Sequence, residues 1–263
     1  MNNEQINKHK HEFMAQQESL PEFINQVCNI LTNKNRIEKS LVFPFRYLSA
    51  YNELNELNGK HVRQVLSSLS EAIDISCRNV PVFDGETLVV ADFSGSMGEG
   101  VDSFKGKASV LGTVLAKSSN ADFMIFGDDA KYVNINTTDS TLSTVQNLLT
   151  LNTGNSEIQV GYGTNLNSVF QKADKAYNRI VILSDMQAWI GWSAPTLSFA
   201  CYRYKYNANP YIYSIDLAGY GTLQFPEKKV FCLAGFSDKI FDTMKVMEKD
   251  QRTLVNEIEK IEL

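Results

Sequence analysis

Short apolar runs alternate with amphipathic helical patterns over most of the chain after residue 80. The runs predict β-strands at 87–91, 122–126, 131–135, 180–183, 211–216 and 229–233. Apolar residues at spacings of three and four predict helices near 103–118, 142–151, 166–177, 196–206 and after 238. Alternation of strands and helices is typical of a mainly parallel sheet with helices on both faces. We therefore predict an α/β domain over residues 81–263.

The first 80 residues carry a helical pattern without strands. A single apolar face is formed in the segment 61–77 by six residues: Val62, Val65, Leu66, Leu69, Ala72 and Ile73. Pro21 is placed to begin another amphipathic helix over 23–31. Residues 1–80 are therefore predicted to form a short all-α extension that precedes the α/β domain.

Candidate chemistry lies where the first predicted strand stops. Asp92, Ser94 and Ser96 alternate along the chain, so their side chains can point the same way, and Gly95 allows a tight turn between them. One carboxylate and two hydroxyls are hard oxygen donors. Such donors suit Mg²⁺, Mn²⁺ or Ca²⁺ better than zinc or copper. The same residue types are also common in turns and helix caps, which is the alternative interpretation.

This stretch resembles the Asp-x-Ser-x-Ser signature of the metal-ion-dependent adhesion site (MIDAS) in von Willebrand factor A domains. The family's second loop has a counterpart at Thr164, and the aspartate after a later strand has one at Asp185. The resemblance implies a von Willebrand A-type (Rossmann-like) three-layer sandwich. It also implies a Mg²⁺, Mn²⁺ or Ca²⁺ site and a protein partner that supplies an Asp or Glu to the ion. The implied metal site comprises Asp92, Ser94, Ser96, Thr164 and Asp185.

Residues 214–221 and 230–241 look like the C-terminal end of the A domain in TROVE-module proteins, the Ro autoantigen family. Residues 44–51 and 79–81 are similar to the last helices of that family's helical-repeat ring, so the resemblance covers about 36–263. It implies a Ro-like ribonucleoprotein component in which residues 36–80 are a remnant of the helical module. Most of the ring has no counterpart here, and RNA binding cannot be inherited from a missing part.

RNA binding is nevertheless an alternative function. The segment 202–206 combines tyrosines with Arg203 and Lys205, and such a cluster could stack bases. Helical spacing favours instead tyrosines that pack on the sheet while Arg203 and Lys205 are solvated. The formal net charge of −5 gives no overall attraction to nucleic acid, and we expect no DNA partner.

A metal-dependent phosphohydrolase is the second alternative, because an ion and two carboxylates can activate water. The three histidines, His9, His11 and His61, all precede the predicted α/β domain, which therefore lacks a Ser-His-Asp arrangement. The segment 100–108 departs from a phosphate-binding loop in its spacing, and Ala108 replaces the required Ser or Thr. We expect that the protein is not an enzyme.

Cellular location is indicated by what the sequence lacks. It has no apolar run of about 18 residues that could cross a membrane. Its first residues lack the charged start and apolar centre of a secretion signal. The four cysteines form no Cys-x-x-Cys pair. We expect a cytoplasmic protein with no membrane partner.

Overall fold

The structure is a computed structural model that describes residues 19–154, 156–186, 195–219, 228–235 and 239–249. The chain divides into two compact units, with the boundary between Asn79 and Val80. The first unit is helical and the second combines a sheet with helices.

The helical unit contains four helices in its described part. They are α1 (residues 19–31), α2 (Lys34–Ser40), α3 (Pro44–Asn55) and α4 (Lys60–Ser76), followed by a 3₁₀ turn at Cys77–Asn79. Pro44 begins α3 at a position where the backbone N–H would have no partner within the helix, so no helical hydrogen bond is lost. The Asn79 side chain donates hydrogen bonds to the carbonyls of Ile37 and Val42, so the end of the unit is tied to the α2–α3 connection.

Helix α4 has the apolar face that the sequence predicts. Leu69, Ala72 and Ile73, in its second half, are buried. Val62 and Val65, in its first half, are only half-buried. The burial of the predicted face is therefore graded along the helix and is greatest near its C-terminal end.

The second unit has six strands in the part of it that the structure describes. They are β1 (Thr87–Asp92), β2 (Asp122–Phe126), β3 (Ala130–Val133), β4 (Arg179–Ser184), β5 (Tyr211–Asp216) and β6 (Val230–Ala234). The helices of this unit are α5 (Phe104–Ser119), α6 (Thr141–Thr150), α7 (Leu166–Lys172), α8 (Pro195–Tyr206) and α9 (Lys239–Lys249).

The strands form one sheet in the order β3-β2-β1-β4-β5-β6. All neighbouring pairs are parallel except β2 and β3, which are joined by a short turn and run antiparallel. The sheet is mostly parallel with helices on both sides, and the predicted α/β fold is confirmed. Since β1 lies between β2 and β4, the carboxyl ends of these three strands meet at one edge.

The central strands are buried on both faces. Every residue of β1 and of β4 is buried, as expected for parallel strands covered by helices. On one face, Leu88 and Val90 join a cluster with Phe170 of α7 and Phe199 of α8. This packing fixes the register of β1, because a shift by one residue would turn Leu88 and Val90 to the opposite face.

Helix lengths differ from the predicted pattern at one place near the site. The segment 166–177 was expected to be helical throughout, but α7 ends at Lys172, because the backbone of Ala173, with φ of −54° and ψ of 125°, is not helical. The Tyr177 hydroxyl instead donates to Asp122 at 2.7 Å, at the start of β2.

None of the helices in the described parts of the chain has both the length and the apolar composition that crossing a membrane requires.

Candidate metal centre

The two aspartates predicted for the site lie on neighbouring strands. Asp92 is the last residue of β1, and Asp185 directly follows Ser184, the last residue of β4. The two strands are paired in parallel with Ala91 opposite Leu183. Asp92 and Asp185 therefore lie at the same carboxyl edge of the sheet.

The connection after β1 presents the two predicted serines. Ser94 is followed by a 3₁₀ turn at Gly95–Met97, and the fully buried Met97 anchors this turn. The Ser94 N–H donates to Asp92 Oδ1 at 2.8 Å. The hydroxyl oxygens of Ser94 and Ser96 are 3.2 Å apart. The turn thus brings both hydroxyls together beside the Asp92 carboxylate.

Thr164 lies in a loop that is tied to both β1 and β2. The Gly95 N–H donates to the Tyr162 carbonyl at 2.9 Å, and the Asn165 N–H donates to the Gly127 carbonyl at 2.8 Å. A Cβ atom at Gly127 would lie 2.3 Å from the Gly161 oxygen, so glycine is needed for this close approach. Thr164 itself is buried. The five predicted residues therefore lie at the carboxyl edge of the sheet: Asp92 ends β1, and the other four are in connections.

Asn152 joins the two loops and was not identified from the sequence. Its side-chain NH₂ donates to the carbonyls of Phe93 and Gly161, at 3.0 and 2.8 Å. Its Oδ1 accepts the N–H groups of Val160 and Gly161, at 2.8 and 3.2 Å. The buried Asn152 amide therefore bridges the serine turn and the threonine loop. Its left-handed backbone, with φ of 59°, is one that asparagine tolerates better than most residues.

Ser184 was also missed. Its hydroxyl donates to Asp92 Oδ2 at 2.6 Å and accepts the Met186 N–H at 3.0 Å. Both oxygens of the Asp92 carboxylate are thus held by neutral donors, the Ser94 N–H and the Ser184 hydroxyl. The only sign of Ser184 in the sequence was that a hydroxyl residue comes just before Asp185. That its hydroxyl bonds to Asp92 follows from the pairing of β4 with β1, which the sequence does not show.

Burial dominates the electrostatics of the site. Asp92 is 0% exposed and Asp185 is 2% exposed. Desolvation by burial raises the pKa of Asp92 to about 6, although hydrogen bonds from Ser184 and Ser94 oppose the change. The negative charge of Asp185 raises this pKa further. Two buried carboxylates at one edge favour the binding of a cation, which would offset the cost of ionising them.

The donor set fits a hard divalent cation. Adjacent ligands of an octahedral ion with bonds of about 2.1 Å lie about 3 Å apart, and the Ser94 and Ser96 oxygens are 3.2 Å apart. No group of three or more His, Cys, Asp or Glu side chains suited to a metal occurs among the described residues. A metal at this edge would therefore use hydroxyls as well as carboxylates, which favours Mg²⁺, Mn²⁺ or Ca²⁺.

The three tyrosines of the segment 202–206 differ in how deeply they are buried. Tyr202 is buried against Phe170 and Phe199, and Tyr206 packs against the same core cluster. Tyr204 is instead 93% exposed on α8. The expectation that these tyrosines pack on the sheet thus holds for two of the three.

The sequence left open whether Trp189 and Trp192 lie at the rim of the site or hold a long loop in place. Both residues lie outside the described part of the chain.

Comparisons with known proteins bear on the fold. No protein-family model matches the chain. A sequence search of curated proteins likewise gives no match. Among solved structures, the Ro (RSR) protein of Deinococcus radiodurans is similar with a TM-score of 0.66 and 19% identity, covering 85% of this chain and 49% of that one. The chain thus spans about half the length of that protein.

Two further solved structures are more distant. An aerotolerance-related membrane protein from Bacteroides fragilis gives a TM-score of 0.35 at 16% identity, covering 50% of this chain and 67% of that one. Proximal thread matrix protein 1 from the mussel byssus gives 0.41 at 14% identity, with 72% and 51% covered. These scores are too low to support an inference, so the comparisons establish one conclusion: the chain has a fold similar to that of the Deinococcus Ro protein.

Proposed function

We propose that this protein is a noncatalytic interaction module that binds a divalent cation, Mg²⁺ in the first place, and through it a carboxylate of a partner protein. The observation that supports the proposal is that two buried carboxylates, Asp92 and Asp185, end neighbouring strands at the edge where the Ser94 and Ser96 hydroxyls lie 3.2 Å apart, with the buried Thr164 in an adjoining loop. An ionised carboxylate is costly to bury, and a bound cation would offset that cost at Asp92, since the donors that hold this carboxylate are neutral.

Each residue has a distinct part in this proposal. Ser94 and Ser96 would be direct ligands, and Thr164 would bind the ion directly or through a water. Asp92 is already held at both oxygens, so it would orient the Ser94 hydroxyl and metal-bound waters, as would Asp185. Neutral hydroxyls close to the ion leave it able to accept a further anionic ligand, because Mg²⁺ retains exchangeable waters. An Asp or Glu of a partner is the ligand that fits this position.

We also propose that the module works in a Ro-like ribonucleoprotein. The likeness to the Deinococcus Ro fold supports this, and the exposed Tyr204 beside Lys205 offers a stacking surface for RNA. Filter binding of a small structured RNA should then weaken steeply as salt rises and should decrease in Tyr204→Ala. Equal RNA retention by Tyr204→Ala and wild type would remove this surface from consideration.

The metal proposal is tested by calorimetric titration of Mg²⁺ and Mn²⁺ into protein freed of metal by chelation. Wild type should bind one ion. Ser94→Ala and Thr164→Ala should bind at least about tenfold more weakly, because each loses a ligand or a group that holds one. Asp92→Ala should bind still more weakly.

The matched control is Ser118→Ala, which removes a hydroxyl near the other end of α5. Ser118 donates to the Leu115 carbonyl and lies far from the proposed ligands in the fold. It should bind Mg²⁺ as wild type does. Circular dichroism confirms that each variant is folded. Equal Mg²⁺ binding by folded Asp92→Ala and wild type contradicts the proposal.

A further inference from the structure

An exposed aromatic ring stands beside the proposed metal position on a fixed backbone. Tyr162 is 61% exposed, although its N–H donates to Asp128 Oδ2 at 3.1 Å and its carbonyl accepts the Gly95 N–H at 2.9 Å. Gly95 lies between the two proposed serine ligands, and a Cβ atom there would lie 3.9 Å from Tyr162 Cβ, so the Tyr162 side chain begins next to the serine turn. A large ring held in water by a rigid loop is typical of a residue that contacts a partner.

The Asp128 carboxylate lies against the same loop. A Cβ atom at Gly161 would lie 2.0 Å from Asp128 Oδ2, so this carboxylate packs directly on the Gly161–Tyr162 peptide. Gly161 has a φ of 81°, which only glycine adopts without strain. Asp128 is exposed; its carboxylate accepts the Tyr162 N–H, and its backbone carbonyl accepts the Asn165 side-chain NH₂ at 3.0 Å. An aromatic face with a carboxylate beside it is a combination that attracts a cationic side chain.

The charged residues of the connection from β1 to α5 all have the same sign. Glu99 and Asp102, in the connection from β1 to α5, are exposed carboxylates at this edge. The nearby Lys105 is 4% exposed, and its ammonium donates to the Leu151 carbonyl at 2.8 Å, so it points into the fold. The rim of the proposed metal position is therefore negative. A partner that presents only acidic residues would be repelled by this rim even if one carboxylate reached the ion.

We propose that Tyr162 and Asp128 form a seat for an arginine or lysine of the partner, next to the partner's metal-binding Asp or Glu. The seat rests on the proposed function and specifies its partner: a basic side chain stacks on the Tyr162 ring and pairs with Asp128, while the neighbouring acid binds the ion. The acidic rim favours the basic side chain, and the ion favours the acid. Recognition thus requires both charges close together on one partner segment.

Synthetic peptides test this inference. Three fluorescent peptides of equal length carry one Asp flanked by two arginines, two glutamines or two glutamates, and a fourth carries Asn between two arginines. Binding is followed by anisotropy with saturating Mg²⁺ and again with chelator. The arginine-flanked Asp peptide should bind about five- to tenfold more tightly than the glutamine-flanked one. The glutamate-flanked and Asn peptides should bind more weakly than both, and chelator should release the Asp peptides.

Variants separate the seat from the metal. Tyr162→Ala should reduce the preference for arginine over glutamine to less than about twofold, whereas Tyr162→Phe keeps the ring and should retain it. Asp128→Asn keeps an acceptor for the Tyr162 N–H but loses the charge, so it should reduce the preference partly. Phe23→Ala removes an exposed aromatic ring on α1, outside the α/β unit, and is the matched control. All four should bind Mg²⁺ as wild type does in calorimetry.

The possible failures are distinguishable. If wild type binds Mg²⁺ but does not distinguish arginine from glutamine, or binds none of the peptides, the seat is wrong while the metal site stands. The seat is also wrong if Tyr162→Ala retains the full preference. If wild type binds no Mg²⁺, the proposed function fails, and the seat fails with it.

Discussion

The Ser184 hydroxyl donates a hydrogen bond of 2.6 Å to Asp92 Oδ2, and both side chains are 0% exposed. The bond crosses between β4 and β1, so the pairing of two strands determines where the Asp92 carboxylate points. The other carboxylate oxygen, Asp92 Oδ1, is also held in place, since it accepts the Ser94 N–H. The orientation of the central carboxylate is therefore a property of the sheet.

Ser184→Ala should weaken Mg²⁺ binding by about tenfold or more, because the carboxylate that orients the proposed ligands loses one of its two donors. The same change should lower the free energy of unfolding by about 1 to 3 kcal/mol. Calorimetric titration and urea denaturation measure the two effects.

Ser214→Ala is the matched control for this prediction. Ser214 is also a fully buried serine in a central strand, β5, but its hydroxyl has no hydrogen-bond partner among the residues that the structure describes. Its removal should leave Mg²⁺ binding unchanged and should be neutral or slightly stabilising. If Ser184→Ala behaved like Ser214→Ala, the bond to Asp92 would have no part in the site.

The stability of the metal-free protein should depend on the protonation of Asp92. Its pKa is about 6 in the folded protein, above the ordinary value of 3.8, so the folded state holds a proton that the unfolded state has released. This group's contribution to stability is therefore greatest below about pH 4 and is lost as the pH rises toward 6. The amide in Asp92→Asn cannot ionise, so the stability of this variant should not fall as the pH rises toward 6.

Urea denaturation with chelator present, at several pH values, checks the prediction. Asp92→Asn should match wild type near pH 4 and exceed its stability by about 2 to 3 kcal/mol at pH 7. Saturating Mg²⁺ should remove this advantage, since the ion favours the ionised carboxylate. A constant difference across the whole pH range would contradict the assignment to Asp92.

Asn152→Gly should lower the free energy of unfolding by about 3 kcal/mol and weaken Mg²⁺ binding, because the amide bridge between the serine turn and the threonine loop is lost. Glycine is chosen because it adopts the left-handed backbone of this position without strain. Asn152→Asp keeps the two accepted bonds but places a carboxylate oxygen against the Phe93 and Gly161 carbonyls in a buried position, so it should be no milder than Asn152→Gly. Wild-type stability in Asn152→Gly would show that the bridge does not hold the loops.

The sheet edge was predictable because its determinants are local. Asp92 ends an apolar run and Asp185 follows another, and parallel strands place their carboxyl ends together. Gly161 and Gly163 flank Thr164 just before a predicted helix, but Thr164 was assigned to the site by the family resemblance. Strand ends are thus sufficient to place the two aspartates at one edge, whereas Thr164 follows no predicted strand.

The groups that support the site were not predictable, because their partners are distant in the sequence. Ser184 is 92 residues from Asp92, and Asn152 is 59 residues from Phe93. A serine or asparagine in isolation gives no signal of such a bond. The end of α7 was missed for a similar reason: apolar spacing continues to Tyr177, but the Tyr177 hydroxyl is held by Asp122, 55 residues away.

The opposite edge of the sheet contains a buried ion pair whose loss should affect stability alone. The Arg179 guanidinium, with a side chain 3% exposed, pairs with Glu248 of α9 and donates to Thr87 Oγ1 at 2.7 Å. Glu248→Ala leaves this cation buried without its carboxylate and should lower the free energy of unfolding by about 3 kcal/mol or more. Urea denaturation measures this.

The exposed pair between Lys172 and Asp129, with side chains 50% and 47% exposed, provides the comparison. Lys172→Ala should lower the free energy of unfolding by less than about 1 kcal/mol, because solvent screens the pair. Folded Glu248→Ala should bind Mg²⁺ as wild type does, since Arg179 begins β4 and the proposed ligands lie beyond its other end. A loss of Mg²⁺ affinity in the folded variant would show that the two edges are coupled through β4, and the site would then depend on more than the carboxyl-edge connections.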